Sequence, residues 1–323
     1  MVLKLILTLF CWLSVLPIVY GLKFGIYYNN LIVFVYVLLL LLMFALSRQS
    51  TKIVICLLFF VSYLILPNLP NEASLRRAGN FFIIFAAFLP SLWLLRSTAI
   101  TMPSVEKTQK LLSDLISTKI LSGLQVTSHI LGGVLNIGTF PLLSSVIPKN
   151  AKSEIRQLAG EAAIRGMNTA VLWSPFFVSF AVGQLYLPSN SAWLGIAFGL
   201  LVAFLFNLIS MRLLIGKMTL SSLFEALSCV KPILSRLLIL SGSVLAVGQI
   251  FNKTALNAIV IVIPILVIIQ MLRRPETSKL IINNLTHLIK NSGDEMLLIS
   301  VSMFLGSISV SYTHLRAHET LDH

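Results

Sequence analysis

Residues 119–148 read KILSGLQVTSHILGGVLNIGTFPLLSSVIP, and the length of this stretch decides the fold. From Ile120 to Pro148 it holds no Asp, Glu, Lys or Arg. It belongs in hydrocarbon, which a helix crosses with about 20 residues. The stretch is therefore too long for one simple span and too short for two. Gly132, Gly133, Asn136, Gly138 and Pro141 interrupt the helical pattern past its middle. Two arrangements fit: one long broken helix, or a helical hairpin that enters the membrane and returns to the side it came from.

The rest of the chain asks for the same solvent. Of 323 residues, 57% are hydrophobic and 11% charged, against about a quarter charged in a soluble domain. Further apolar segments lie at 2–20, 24–46, 53–67, 79–95, 167–187, 191–211, 237–252, 255–272 and from 296. The expected fold is an all-α polytopic membrane protein with about nine to ten membrane segments, a re-entrant hairpin and a broken helix among them. Lys4 before an apolar run has the form of a signal peptide. No small-x-small cleavage site follows, and a second apolar segment begins almost at once, so 2–20 is expected to be a retained span.

Charge chooses between the two arrangements of 119–148. The formal net charge of +13 comes in short clusters between apolar runs, not along one face, which fits membrane flanks and excludes a nucleic-acid surface. Lys and Arg near span ends accumulate in the cytoplasm. With a hairpin and a cytoplasmic amino terminus, nineteen basic residues fall inside, including Arg96, Lys119, Lys149, Arg236 and Arg273. Four, Lys23, Arg76, Arg77 and Lys253, fall outside. A single crossing separates the basic stretches 96–119 and 149–165, so the hairpin is the arrangement that charge favours. Segments 97–118 and 212–236 then read as amphipathic helices along the cytoplasmic interface.

At Val310 the text changes to VSYTHLRAHETLDH, a polar string with three of the five histidines. Residues 310–320 resemble a translated transposase-type sequencing adapter, which implies that 310–323 are an artefact and that the native protein continues past 309. Setting this tail aside removes Arg316, Glu319 and Asp322 and leaves 23 basic and 9 acidic residues, a net of +14. Cys11, Cys56 and Cys229 have no paired spacing and read as small core hydrophobes, not as a disulfide or zinc frame.

Non-helical backbone at membrane depth is tolerated only where protein or a water-filled cavity covers it. Two places have that character, Thr127–Pro141 and the run from Asn168 to Trp173-Ser174-Pro175. They carry the candidate substrate- or ion-binding residues Thr127, Ser128, His129, Asn136, Thr139, Asn168, Thr169 and Ser174. A half-helix amino terminus suits an anion, and exposed carbonyls with Asn and Ser/Thr side chains suit sodium. No Asp or Glu lies within an expected span, so a carboxylate proton relay has no candidate and coupling tilts toward sodium. For His129 two roles stand open, binding an anion or a proton, and holding one backbone carbonyl. The glycines and Asn136 equally suit close helix packing, and Pro175 an ordinary kink. There is no nucleotide-binding Gly-rich loop, paired-His metal motif or G-x-S-x-G elbow, so no enzyme, cofactor or resident metal is expected.

The order of segments resembles the ion transporter superfamily, in particular the divalent anion:sodium symporters and related arsenite and citrate carriers. The resemblance is architectural and covers most of residues 50–309. It implies two inverted repeats, each with a hairpin and a broken helix whose tips form the site. Here that gives scaffold helices in 1–96, an interfacial helix in 97–118, a first transport unit in 119–211, and an interfacial helix with the start of a second repeat in 212–309. Ser128 with His129, Asn136 with Thr139, and Asn168-Thr169 stand nearest to the family's Ser-Asn-Thr signature, which this chain lacks. The implied function is secondary transport of a small anionic solute, coupled to sodium, by a homodimer in the cytoplasmic (inner) membrane of a bacterium. The alternative is a non-transporting membrane assembly or lipid-handling component, whose Gly and Pro features only pack helices.

Overall fold

The computed structural model describes residues 2–66, 72–115, 117–148, 150–180, 183, 189–214 and 220–319. Ile116, Lys149, Lys217 and most of the second half of the expected 167–187 segment lie outside that set. Among the described residues every regular element is helical. The helices are α1 (Val2–Val19), α2 (Ile26–Leu46), α3 (Gln49–Ile65), α4 (Glu72–Ala99), α5 (Pro103–Ser113), α6 (Ser117–Leu135), α7 (Thr139–Ser144), α8 (Ser153–Ala170), α9 (Ser189–Leu214), α10 (Leu220–Ile250), α11 (Ala255–Arg273), α12 (Pro275–Asn291) and α13 (Gly293–Glu319). Among the described residues six stretches are long and apolar enough to cross a bilayer: α1, α2, Phe82–Ala99 of α4, Leu194–Leu214 of α9, Leu223–Ile250 of α10, and α11. The chain is an all-α polytopic membrane protein. Only 22% of the α9 window is buried against protein, whereas 89% of Phe82–Ala99 is, so α9 turns most of its apolar surface outward and α4 is a core helix.

Two compact units divide the chain. The first comprises Met1–Trp93 and Ile282–His323. In it α1 packs on α2, and α13 on α2 and α3. The buried Tyr36 hydroxyl shares a hydrogen bond of 2.7 Å with Ser300 Oγ. Lys4 Nζ donates to the Lys290 carbonyl (2.8 Å), a cation placed at the carbonyl end of α12, where the helix dipole favours it. Helix α13 runs through Val310 to Glu319 without a backbone break. Cys11 is buried as expected of a core hydrophobe; Cys56 is exposed on α3.

The second unit is Leu94–Ile281. Its centre is the pair α6 and α8. Leu124 shares a cavity with Ala159 and Gly160, Gln125 meets Gly166, Gly132 lies against Met167, and Gly133 lies against Trp173 just past the end of α8. These contacts advance together along both helices, so α6 and α8 run in the same direction. Parallel neighbours require the connection to travel back the length of α6, roughly 28 Å. Residues 136–148 do so. Asn136 takes a left-handed φ of 53°, which Asn tolerates better than other non-glycine residues, and opens a 3-10 turn over Asn136–Gly138. After α7, Leu143, Ile147 and Pro148 line one cavity with Leu124, near the start of α6. The two arms of this turn-back are unequal: the outgoing arm is a full helix, the returning arm a six-residue helix and turns.

Two sequence expectations take a different form here. Segments 212–236 and 237–252 share one helix from Leu220 on, because Pro232 removes a donor without breaking α10, as prolines in apolar helices do. Segment 97–118 does not lie across the end of the bundle. Helix α5, opened by Pro103 at its first position, runs back along α6: Met102 borders a cavity with Val134 and Leu135, and Leu112 and Leu115 lie over Gly123. Gln109 ties α5 to the returning arm through the Leu142 carbonyl (2.7 Å). In consequence Arg96 and Lys119 sit at opposite ends of α6, roughly 24 Å apart. Arg96 Nε donates to the Leu135 carbonyl (3.2 Å), and Lys119 Nζ holds both Glu225 oxygens (2.7 and 2.8 Å). The charge partition assigns both to the cytoplasmic side, whereas the turn of α5 puts most of the length of α6 between them.

Candidate functional site

Helix α6 carries Gln125, Ser128, His129, Gly132 and Gly133, spaced three and four apart on one face. Against that face α8 brings Ala163, Gly166 and Thr169, and α9 brings Asn207 and Ser210. Gly166 and Gly132 are required by this fit, since a Cβ at Gly166 would overlap the Gln125 carbonyl and one at Gly132 would crowd the Met167 backbone. Gly199 of α9 is pressed in the same way onto the Leu172 carbonyl.

The polar groups so collected form a chain in which each donor finds an acceptor. Trp173 Nε1 donates to His129 Nε2 (3.2 Å). An indole N–H only donates, so Nε2 accepts and the imidazole proton sits on Nδ1. Nδ1 then donates to Thr169 Oγ1 (2.9 Å), which donates to the Gly166 carbonyl (2.7 Å). Asn207 Nδ2 gives its hydrogens to Thr169 Oγ1 (2.7 Å) and the Ala203 carbonyl (2.9 Å). Asn207 Oδ1 accepts from Gln125 Nε2 (3.0 Å), and Arg165 Nε reaches Gln125 Oε1 (3.4 Å). The pattern is complete with a neutral imidazole. A second proton on Nε2 would face the Trp173 N–H.

The two interruptions of regular helix meet beside this chain. Helix α8 ends at Ala170 and the backbone turns through Val171–Trp173 before Pro175. The Ser174 hydroxyl donates to the Gly133 carbonyl, two residues before the end of α6, and accepts from the Phe176 N–H (3.1 Å). Both described half-helices present their carboxyl-terminal ends here, which are carbonyl-rich and carry partial negative charge. That environment suits a cation, and the Arg96 guanidinium already rests on one of these carbonyls. The amino-terminal cradle expected for an anion is not what α6 and α8 offer.

The eight residues singled out from sequence are dispersed by the fold. Ser128, His129, Thr169 and Ser174 belong to the hydrogen-bonded cluster. Asn136 is half-buried in the 3-10 turn. Thr127 and Thr139 are buried, with hydroxyls that have no partner among the described residues. Asn168 is exposed, whereas its neighbour Thr169 is buried. The sequence reading did not select Gln125, Asn207, Ser210 or Arg165. Asn207 carried a signal, a lone carboxamide in the apolar run Leu194–Leu214, where polar side chains are glue or function. Gln125 carried another, four residues before His129 on the same helix face. Compared with known protein families, curated proteins and solved structures, the chain matches none.

Proposed function

We propose that the protein is a secondary active transporter of a small anionic solute, coupled to sodium, in which α6, the returning arm and α8 form the mobile unit. The observation that carries the reading is the meeting of two helix interruptions, at 136–138 and 171–175, beside a buried polar cluster. Convergent helix carboxyl ends favour sodium there, and Arg96 supplies a positive group for an anion beside the 3-10 turn. The return of 136–148 alongside α6 supports a hairpin opening to one side of the membrane. The plan is the one the symporter resemblance implies, with the amino terminus in the cytoplasm.

The test is uptake of labelled sulfate, succinate, citrate and arsenite into proteoliposomes, with and without an inward sodium gradient. Sodium-stimulated uptake of any of them is expected, falling at least tenfold in Asn207→Ala and in His129→Gln. A second reading is a non-transporting membrane component, favoured by the closure of the polar cluster on itself. On that reading no probe is taken up, and Asn207→Ala only lowers the melting temperature, by the loss of about 1–3 kcal/mol.

A further inference from the structure

Away from the polar cluster, the second unit holds a cavity of about 140 Å³ between α4, α6, α10 and α11. Its walls are largely apolar, with Leu237, Ile263 and Leu266 among them, and its polar lining is Thr98, Arg236, Gln270 and Arg273. Both arginines are exposed, and neither has an ion pair or hydrogen bond among the described residues. No Asp or Glu lines the cavity. Two cations from neighbouring helices thus face one slot with no internal counter-charge. Repulsion between them makes an external anion the natural third member.

Position and shape choose the anion. Arg236 immediately precedes the apolar run Leu237–Ile250, and Arg273 closes α11 in its last turn. Counted along the helices from the connection between α10 and α11, Arg236 stands roughly 21 Å and Arg273 roughly 27 Å away, close to the far boundary of a hydrocarbon core about 30 Å thick, where Lys and Arg meet lipid phosphates. The guanidinium fork matches a phosphate in two hydrogen bonds. A free phosphate would leave the apolar walls unused; an acyl chain fills them. We propose that Arg236 and Arg273 bind the phosphate of an anionic phospholipid, with the first carbons of one acyl chain held in the cavity.

The full chain, purified in detergent and offered phosphatidylglycerol or phosphatidylcholine, is examined by native mass spectrometry for retained lipid. Preferential retention of phosphatidylglycerol is expected, weakened about fivefold by R236Q or R273Q and roughly thirtyfold by both. L266W, which fills the slot and leaves both arginines, is expected to lose the lipid as well. K110Q/K152Q, which removes the same charge from exposed lysines, is expected to leave retention unchanged. Equal retention of the two lipids, unchanged retention in R236Q/R273Q or in L266W, or displacement of the lipid by excess inorganic phosphate would each overturn the proposal.

Discussion

Asn207 shows how much one side chain decides in an apolar protein. With no water in the hydrocarbon region, a carboxamide there must find its partners in protein. Asn207 finds them on α6, α8 and its own helix, joining three segments through one residue. Glycine does the complementary work by letting backbones approach. The prediction at this scale separates the glycines by their surroundings. Gly166→Ala pushes a methyl onto the Gln125 carbonyl and is expected to destabilise by about 1–3 kcal/mol. Gly160→Ala, six residues away on α8 with open space around it, is expected to be neutral or to stabilise by up to about 1 kcal/mol. Melting temperatures of the two variants in one detergent check both; equal shifts would contradict the packing of α6 on α8.

At the scale of elements, sequence pattern and fold agree where an element is set by its own residues. Pro103 starts α5, Thr254 caps α11 by accepting from the Asn257 N–H (3.4 Å), and Asn136 opens the turn after α6. They part where a neighbour decides. Nothing in 212–252 announces that Pro232 leaves α10 continuous, and nothing in 97–118 announces that α5 doubles back along α6. The start of α6 is tied to the start of α10 by Lys119 and Glu225, a pair 27% and 44% exposed. Such a pair contributes little alone, about 0.5–1 kcal/mol. A double-mutant cycle of Lys119→Met and Glu225→Gln, followed by thermal unfolding, is expected to return a coupling of that size and sign. A coupling indistinguishable from zero would mean the two helix starts are not held together in solution.

For the whole molecule the decisive question is where the ends of α6 stand relative to the bilayer. The returning arm brings Ser144, which is exposed, back along α6 to the cavity that Leu124 lines near its start. In a background with Cys11, Cys56 and Cys229 replaced by serine, Lys119→Cys and Ser144→Cys are expected to react with a membrane-impermeant maleimide from the same side. Reaction from opposite sides would make 119–148 a broken crossing helix. Much of the molecule was legible before any tertiary contact was known. Bilayer thickness sets the length of an apolar run, so each of the six crossing stretches overlaps a run legible in the sequence, but the expected nine to ten segments exceed six because 53–67 falls in a helix of only 17 residues and 119–148 turns back on itself. The interruption at 132–141 could be located because Gly, Asn and Pro act on their own backbone. His129, Thr169 and Ser174 stood out as polar residues beside such breaks. Their partners did not, because Gln125 and Asn207 are 82 residues apart and meet only when α9 lies against α6. Sequence alone determined the solvent of this protein and the sites of its breaks, both of which depend on neighbours along the chain. The direction of α8 beside α6, the separation of Arg96 from Lys119 and the membership of the polar cluster were decided by packing between helices far apart in sequence.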